Sequence, residues 1–183
     1  MCYPSYDNGG PNGYTYDPWK YYWFHDGIRK TGKGTLTLTG VSTCTHTTEV
    51  AEGSLIVSGA IANSSALTVD AGGFIGGSGR FPASVTVKDG GGFDVDVTSS
   101  AAVSLPSLTA EGDVAVRMVG ANGDRRALDG HAVVTLANKP ATLDVSRWSA
   151  VDENGKRVSY SFAYAPSIGT VTAHKNGLMI FLR

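Results

Sequence analysis

The chain has 183 residues, 42% of them hydrophobic and 17% charged, with 24 glycines, about twice the usual share of glycine and a low share of charge. Fifteen Lys plus Arg against sixteen Asp plus Glu leave a net charge of -1, which gives no global pull toward a polyanion and argues against nucleic acid as the main partner. The longest apolar run, Leu178 to Leu182, falls far short of the roughly 20 residues a spanning helix needs, so no transmembrane helix is expected.

Residues 1–26 differ from the rest, with six Tyr, two Trp and one Phe among Pro, Asn and Gly. Asp17 before Pro18 reads as a helix N-cap and first helical position, and Trp19, Tyr22 and Trp23 then share one face of a two-turn helix. The belt Tyr14, Tyr16, Trp19, Tyr21, Tyr22, Trp23 and Phe24 is the candidate contact surface. It reads first as a hydrophobic cap, and otherwise as a subunit interface or a platform for sugar faces. The N-terminus lacks the basic start and apolar stretch of an export signal, so the chain is expected to be either not exported or a fragment of something that is. Cys2 and Cys44 allow one bridge at most, and the sequence does not set whether their Cβ atoms come within reach.

From Thr35 the hydrophobic period becomes two, the signature of strands. Thr35–Thr39, Ser54–Val57, Ala66–Val69 and Ser84–Lys88 alternate in this way, and most are bounded by glycine. The corners recur: Val50-Ala51-Glu52-Gly53, Val69-Asp70-Ala71-Gly72, Val87-Lys88-Asp89-Gly90 and Thr109-Ala110-Glu111-Gly112. Repeats about 20 residues apart imply stacked units that bury an apolar face only against their neighbours. Short strands joined at glycine corners give a parallel β-helix as the natural stack.

Hairpin signals are few in the middle of the chain and appear later, at Asn122-Gly123, Asn154-Gly155 and Asn176-Gly177. The last two lie between strand-like flanks: Val145–Val151 before Val158–Tyr164, and Val171–Ala173 before Leu178–Leu182. The C-terminal third is therefore expected to close the stack with antiparallel strands, covering edges and apolar side chains that a last rung leaves bare.

The segment Ile28-Arg29-Lys30-Thr31-Gly32-Lys33-Gly34-Thr35-Leu36-Thr37-Leu38-Thr39-Gly40, followed by Thr47-Thr48-Glu49-Val50-Ala51-Glu52-Gly53-Ser54-Leu55-Ile56-Val57, resembles the autotransporter-associated β-strand repeat of bacterial passenger domains and other surface proteins. Cys44 and His46 depart from the Tyr and Gly common there. Residues 67–79 and 84–97 look like continuing rungs, and beyond residue 97 the likeness fades. It implies a β-helix on a bacterial surface and brings no catalytic residues.

Other patterns point less far. Gly27 to Lys33 matches seven positions of a phosphate-binding loop, but Gly34 stands where Ser or Thr should bind magnesium, and a strand follows instead of a helix. Asp89, Asp94 and Asp96 beside Gly90 to Gly92 resemble one unit of a calcium-binding nonapeptide, though such sites need consecutive turns. His25, His46, His131 and His174 have no metal-ligand spacing, and Gly77-Ser78-Gly79 is no nucleophile elbow. Asp70 with Lys88 is the best acid–base pair at neighbouring corners, read as a surface salt bridge.

The expected architecture is all-β: a right-handed parallel β-helix, with an aromatic N-terminal segment or cap (1–26), β-helix repeats (27–116) and a β-rich closing region (117–183). The expected function is a non-catalytic structural or adhesion module of a bacterial cell-surface or secreted protein, without cofactor or metal, self-assembling through its solenoid ends. The alternative is a glycan-binding or polysaccharide-cleaving β-helix with a surface glycan as partner.

Overall fold

The structure, a computed structural model, describes residues 27–176, and among them are sixteen β-strands and no α-helix. The expected Asp17 helix, the aromatic belt, Cys2, His25 and the Leu178–Leu182 strand lie outside the described residues. In chain order the first turn holds β1 (Ile28–Lys30) and β2 (Thr35–Leu38), the second β3 (Thr48–Val50) and β4 (Gly53–Val57), and the third β5 (Leu67–Val69) and β6 (Gly73–Gly76). The fourth holds β7 (Val85–Val87), β8 (Gly92–Asp96) and β9 (Val103–Leu105); the fifth holds β10 (Leu108–Ala110), β11 (Val114–Val119) and β12 (Ala132–Leu136). The chain finishes with β13 (Trp148–Val151), β14 (Arg157–Val158), β15 (Tyr160–Ala165) and β16 (Thr170–Lys175).

These strands stack as a parallel β-helix. The first sheet runs β1-β3-β5-β7-β10 and the second β14-β13-β11-β8-β6-β4-β2. Every pairing in the first is parallel, as is every pairing in the second except β13 with β14. A third side begins as single bridges, Val41 to Ala60 to Arg80, and becomes the sheet β15-β16-β12-β9 in the later turns.

Register makes the core. In the second sheet Leu36, Leu55, Ile75, Phe93, Val116 and Ala150 form one inward column. In the first, Val50, Val69 and Val87 form another, and all three valines are fully buried. β-branched and aromatic side chains suit this half-buried pleated surface, and each fully buried one contributes about 1.5–3 kcal/mol.

The recurring corner depends on backbone angles. Gly53, Gly72, Gly90 and Gly112 all have φ between 74° and 80°, the left-handed region that side chains enter only with strain. The corners also bond along the stack: the Gly53 amide donates to the Gly72 carbonyl (3.0 Å) and the Gly72 amide to the Gly90 carbonyl (2.9 Å). One detail corrects the sequence alignment of repeats. Ala110, and not Thr109, is the partner of Val87, while Thr109 pairs with Thr86. The pleat decides this, because Ala110 faces inward and Thr109 is exposed, and the left-handed glycine then comes two residues after Ala110 where it comes three after Val87.

Closure at the C-terminal end is antiparallel. Asp152 to Lys156 turn β13 into β14, with Ala150 opposite Val158 and Val151 opposite Arg157, as Asn154-Gly155 leads one to expect. β15 and β16 form a hairpin, and β16 also pairs antiparallel with β12. Asn122 and Gly123 take positive φ (47° and 84°) and turn the chain out of β11. Parallel pairing extends to Val151 through β11 and β13. Among the described residues no helix is long and apolar enough to cross a membrane.

Candidate functional site

The outer face of the second sheet carries the most built polar cluster among the described residues. Alternation in β8 and β11 sends Asp94 and Arg117 outward as direct cross-strand partners. Arg117 Nε donates to Asp94 Oδ1 (2.8 Å) and Nη2 to Asp94 Oδ2 (2.9 Å), while Nη2 also donates to Ser54 Oγ two strands further on. The guanidinium lies over the Phe74 ring, 4.1 Å from its centroid, adding a cation–π contact to a two-pronged charge pair. The Asp94 side chain is only 3% exposed and that of Arg117 23%.

Glycine makes room for this arrangement. Gly92 sits between Phe74 and Ala115, and Gly76 between Ile56 and Asp94. A Cβ at Gly92 would meet the Ala115 carbonyl and lie 3.0 Å from the Phe74 ring; one at Gly76 would lie 3.0 Å from both the Asp94 Cβ and the Ile56 Cδ1. With both side chains absent, Phe74 and Arg117 lie flat on the sheet. Beside them runs a groove of about 280 Å³ lined by Lys33, Thr35, Ser54, Arg117, Val119 and Glu153. Arg117 Nη1 has no hydrogen-bond partner among the described residues and remains available to a ligand.

A second polar device belongs to the first corner. Lys30 is buried, and its ammonium donates to the carbonyls of Thr31 (3.0 Å), Gly32 and Glu52 (2.9 Å). Gly53 closes over it: a Cβ there would stand 2.8 Å from Lys30 Nζ and collide with the Gly32 and Gly34 carbonyl oxygens. The spacing Lys30-Thr31-Gly32-Lys33-Gly34 is therefore a cation gripped by converging carbonyls. A phosphate-binding loop needs converging amides, so the polarity here is reversed.

The remaining predicted residues fall apart in space. Asp89 accepts from the Asp113 amide (2.6 Å), Asp94 is held by Arg117, and Asp96 accepts from the Thr98 amide (2.9 Å) and hydroxyl (2.6 Å). The three acids thus have separate partners, and the structure does not bring them together as one ligand set. Asp70 and Lys88 do meet, with Oδ1 and Nζ 2.7 Å apart at adjacent corners. The Lys88 hydrogen bond holds the Asp70 carboxyl below its ordinary value, and the Asp70 hydrogen bond raises Lys88. Cys44 is buried and disulfide-bonded. It lines a cavity of about 330 Å³ at the first-turn end, together with Ile28, Leu38 and Val41.

Sequence reasoning missed the Arg117 cluster. Its signal was present: Arg117 is the one charge in the otherwise apolar run of β11, Asp94 alternates with Phe93 and Val95 in β8, and Phe74 stands at an outward position beside glycines. Recognising it needed the register of β6, β8 and β11, which depends on uneven turn lengths.

Searches of protein-family models, of curated proteins and of solved structures find no match to this chain.

Proposed function

We propose that the chain is a non-catalytic structural module of a bacterial cell-surface or secreted protein, a stiff stack of turns that holds a surface in place and performs no reaction. One observation carries this reading: four charged pairs among the described residues tie turn to turn. Arg29 binds Glu49 (3.0 Å), Lys88 binds Asp70 (2.7 Å), Arg117 binds Asp94 (2.8 Å) and Arg147 binds Asp113 (2.8 Å). Each pair bridges neighbouring turns, which is the requirement of a load-carrying stack and contributes nothing to a reaction centre. The likeness of residues 28–57 to the autotransporter-associated repeat supports the surface setting. Labelling intact source cells with a membrane-impermeant amine reagent tests the location, and modification of the exposed lysines is the expected result. Cleavage of any member of a polysaccharide panel by the purified chain would overturn the non-catalytic reading.

A second reading, glycan binding, is favoured by the groove beside Arg117. The unspent Nη1 and Lys33 offer two cationic donors in one groove, a chemistry suited to a carboxylate-bearing sugar. Titration with an acidic oligosaccharide, followed by the same titration of Lys33→Met, tests it. Binding lost in the variant supports this reading, and equal binding or none removes it.

A further inference from the structure

The two ends of the solenoid are finished differently, and the first-turn end is the one left bare. Among the described residues β1 and β2 are the terminal strands of their sheets, with no partner on their outer edges. Leu36 stands at the head of the main inward column yet is 37% exposed, where the next member, Leu55, is fully buried. Val41, on the third side of the same turn, is 74% exposed. Between these positions lies the 330 Å³ cavity lined by Ile28, Leu38, Val41 and Cys44.

We infer that this end is a docking surface for residues 1–26 of the same chain, pinned across the cavity by a Cys2–Cys44 disulfide. Three independent facts select that occupant over a second copy. Those residues join the solenoid at Gly27, immediately before β1, so the segment starts at the edge it is to cover. Its six Tyr, two Trp and one Phe supply flat, amphipathic side chains of the kind that fill an apolar end while keeping polar atoms in water. Cys44 in the cavity wall is disulfide-bonded, and Cys2 is the only other cysteine of the chain.

The anchoring points also suit the length. Forty-one residues separate Cys2 from Cys44, and a cross-link closing a loop of that size stabilises by about 3–4 kcal/mol in the chain-entropy model. It acts on the turn with the least burial of its own. A chain so capped leaves neither β1 nor β2 open to another solenoid, so end-to-end growth from this face requires release of the segment.

The test uses the full chain. Peptide mapping under non-reducing conditions is expected to give a Cys2–Cys44 linked peptide from a species that sediments as a monomer. Hydrogen exchange is then compared between wild type, Cys2→Ser and the Trp19→Ala/Trp23→Ala double variant. The expected result is exchange faster by roughly tenfold across β1 and β2 in both variants, with β7 and β8 unchanged, because opening is local. A Cys44–Cys44 link between two chains would show a second copy in the site and overturn the inference. Unchanged exchange of β1 and β2 in both variants would overturn it equally, leaving the end to a separate partner.

Discussion

The first and last turns of this solenoid meet the same difficulty, an exposed rung, with opposite chemistry. At the first turn the inward column includes Lys30, whose charge is buried by gripping three backbone carbonyls. At the far end rings fill the inward face: Trp148 stacks on Phe93 with centroids 5.5 Å apart and meets Phe162 at 6.0 Å, and reversed strands cover the rest. The difference shows what stacking alone leaves undone. A change of strand direction covers the last rung, whereas the Lys30 clamp secures the first corner and leaves the outer edges of β1 and β2 without a partner among the described residues.

The aromatic end gives the largest expected loss. Phe93 is fully buried beneath Trp148, and Phe93→Ala should cost about 3–5 kcal/mol in urea unfolding. Trp148→Phe should cost far less, within about 1.5 kcal/mol, because the buried Trp148 Nε1 has no hydrogen-bond partner to lose and a ring remains in place. If the two variants cost the same, the aromatic stack is not what seals this end.

Next come the corners that all turns share. Gly53 and Gly72 both have positive φ (74° and 80°), but a Cβ at Gly53 meets three groups of the Lys30 corner while one at Gly72 meets nothing within 4 Å. Gly72→Ala should therefore lose only the conformational share, about 1–2 kcal/mol, and Gly53→Ala should lose roughly 3 kcal/mol or more. Equal losses would mean that the Lys30 corner yields without cost, and that the first turn is not clamped as its geometry indicates.

The clamp itself is tested by Lys30→Met against Lys33→Met. The first leaves three carbonyls without their cation and should cost about 1–3 kcal/mol; the second, at an exposed lysine, should stay within about 0.5 kcal/mol. Thermal unfolding of both variants at one salt concentration checks it.

Much of this was readable from residue order, and the limits are physical. Val-x-x-Gly corners and alternating Thr, Val and Leu reveal both the strands and their stacking, because a period of two and a left-handed corner are local properties. Asn154-Gly155 likewise marks its own hairpin. Strand β12 and the turn from β15 to β16 were harder, since Ala132–Leu136 lacks alternation and Ile168-Gly169 is no standard hairpin signal. The Arg117 cluster was hidden for a different reason. Asp94 and Arg117 are 23 residues apart in the chain, and only the register of β8 against β11, set by the whole fourth turn, makes them partners. The same register moved the fourth corner from Thr109 to Ala110. Lys30 was legible as part of a family-like motif, but its role as a clamp required the carbonyls of the second turn.

The smallest expected effect distinguishes ties on the surface from those in the sheet. Asp70 and Lys88 pair at solvent-facing corners, with side chains 25% and 51% exposed, whereas Asp94 is sealed under Arg117. For Asp70 the folded carboxyl titrates below its ordinary value, chiefly through Lys88. Its contribution is therefore present above that ordinary value and disappears as pH falls through the lowered one. Lys88 is raised, chiefly by Asp70, so its contribution is complete below the ordinary lysine value and disappears as pH rises through the raised one. The stability difference between wild type and Lys88→Met should accordingly be flat through neutral pH, shrink at both extremes and close at about 1 M salt, where screening acts over roughly 3 Å. Arg117→Met should instead keep most of its cost in the same salt, because its partner is shielded from ions. Matching salt dependence in the two variants would mean that the Arg117 pair is as open to solvent as the corner pair, and that the outer face of the second sheet has no preorganised centre.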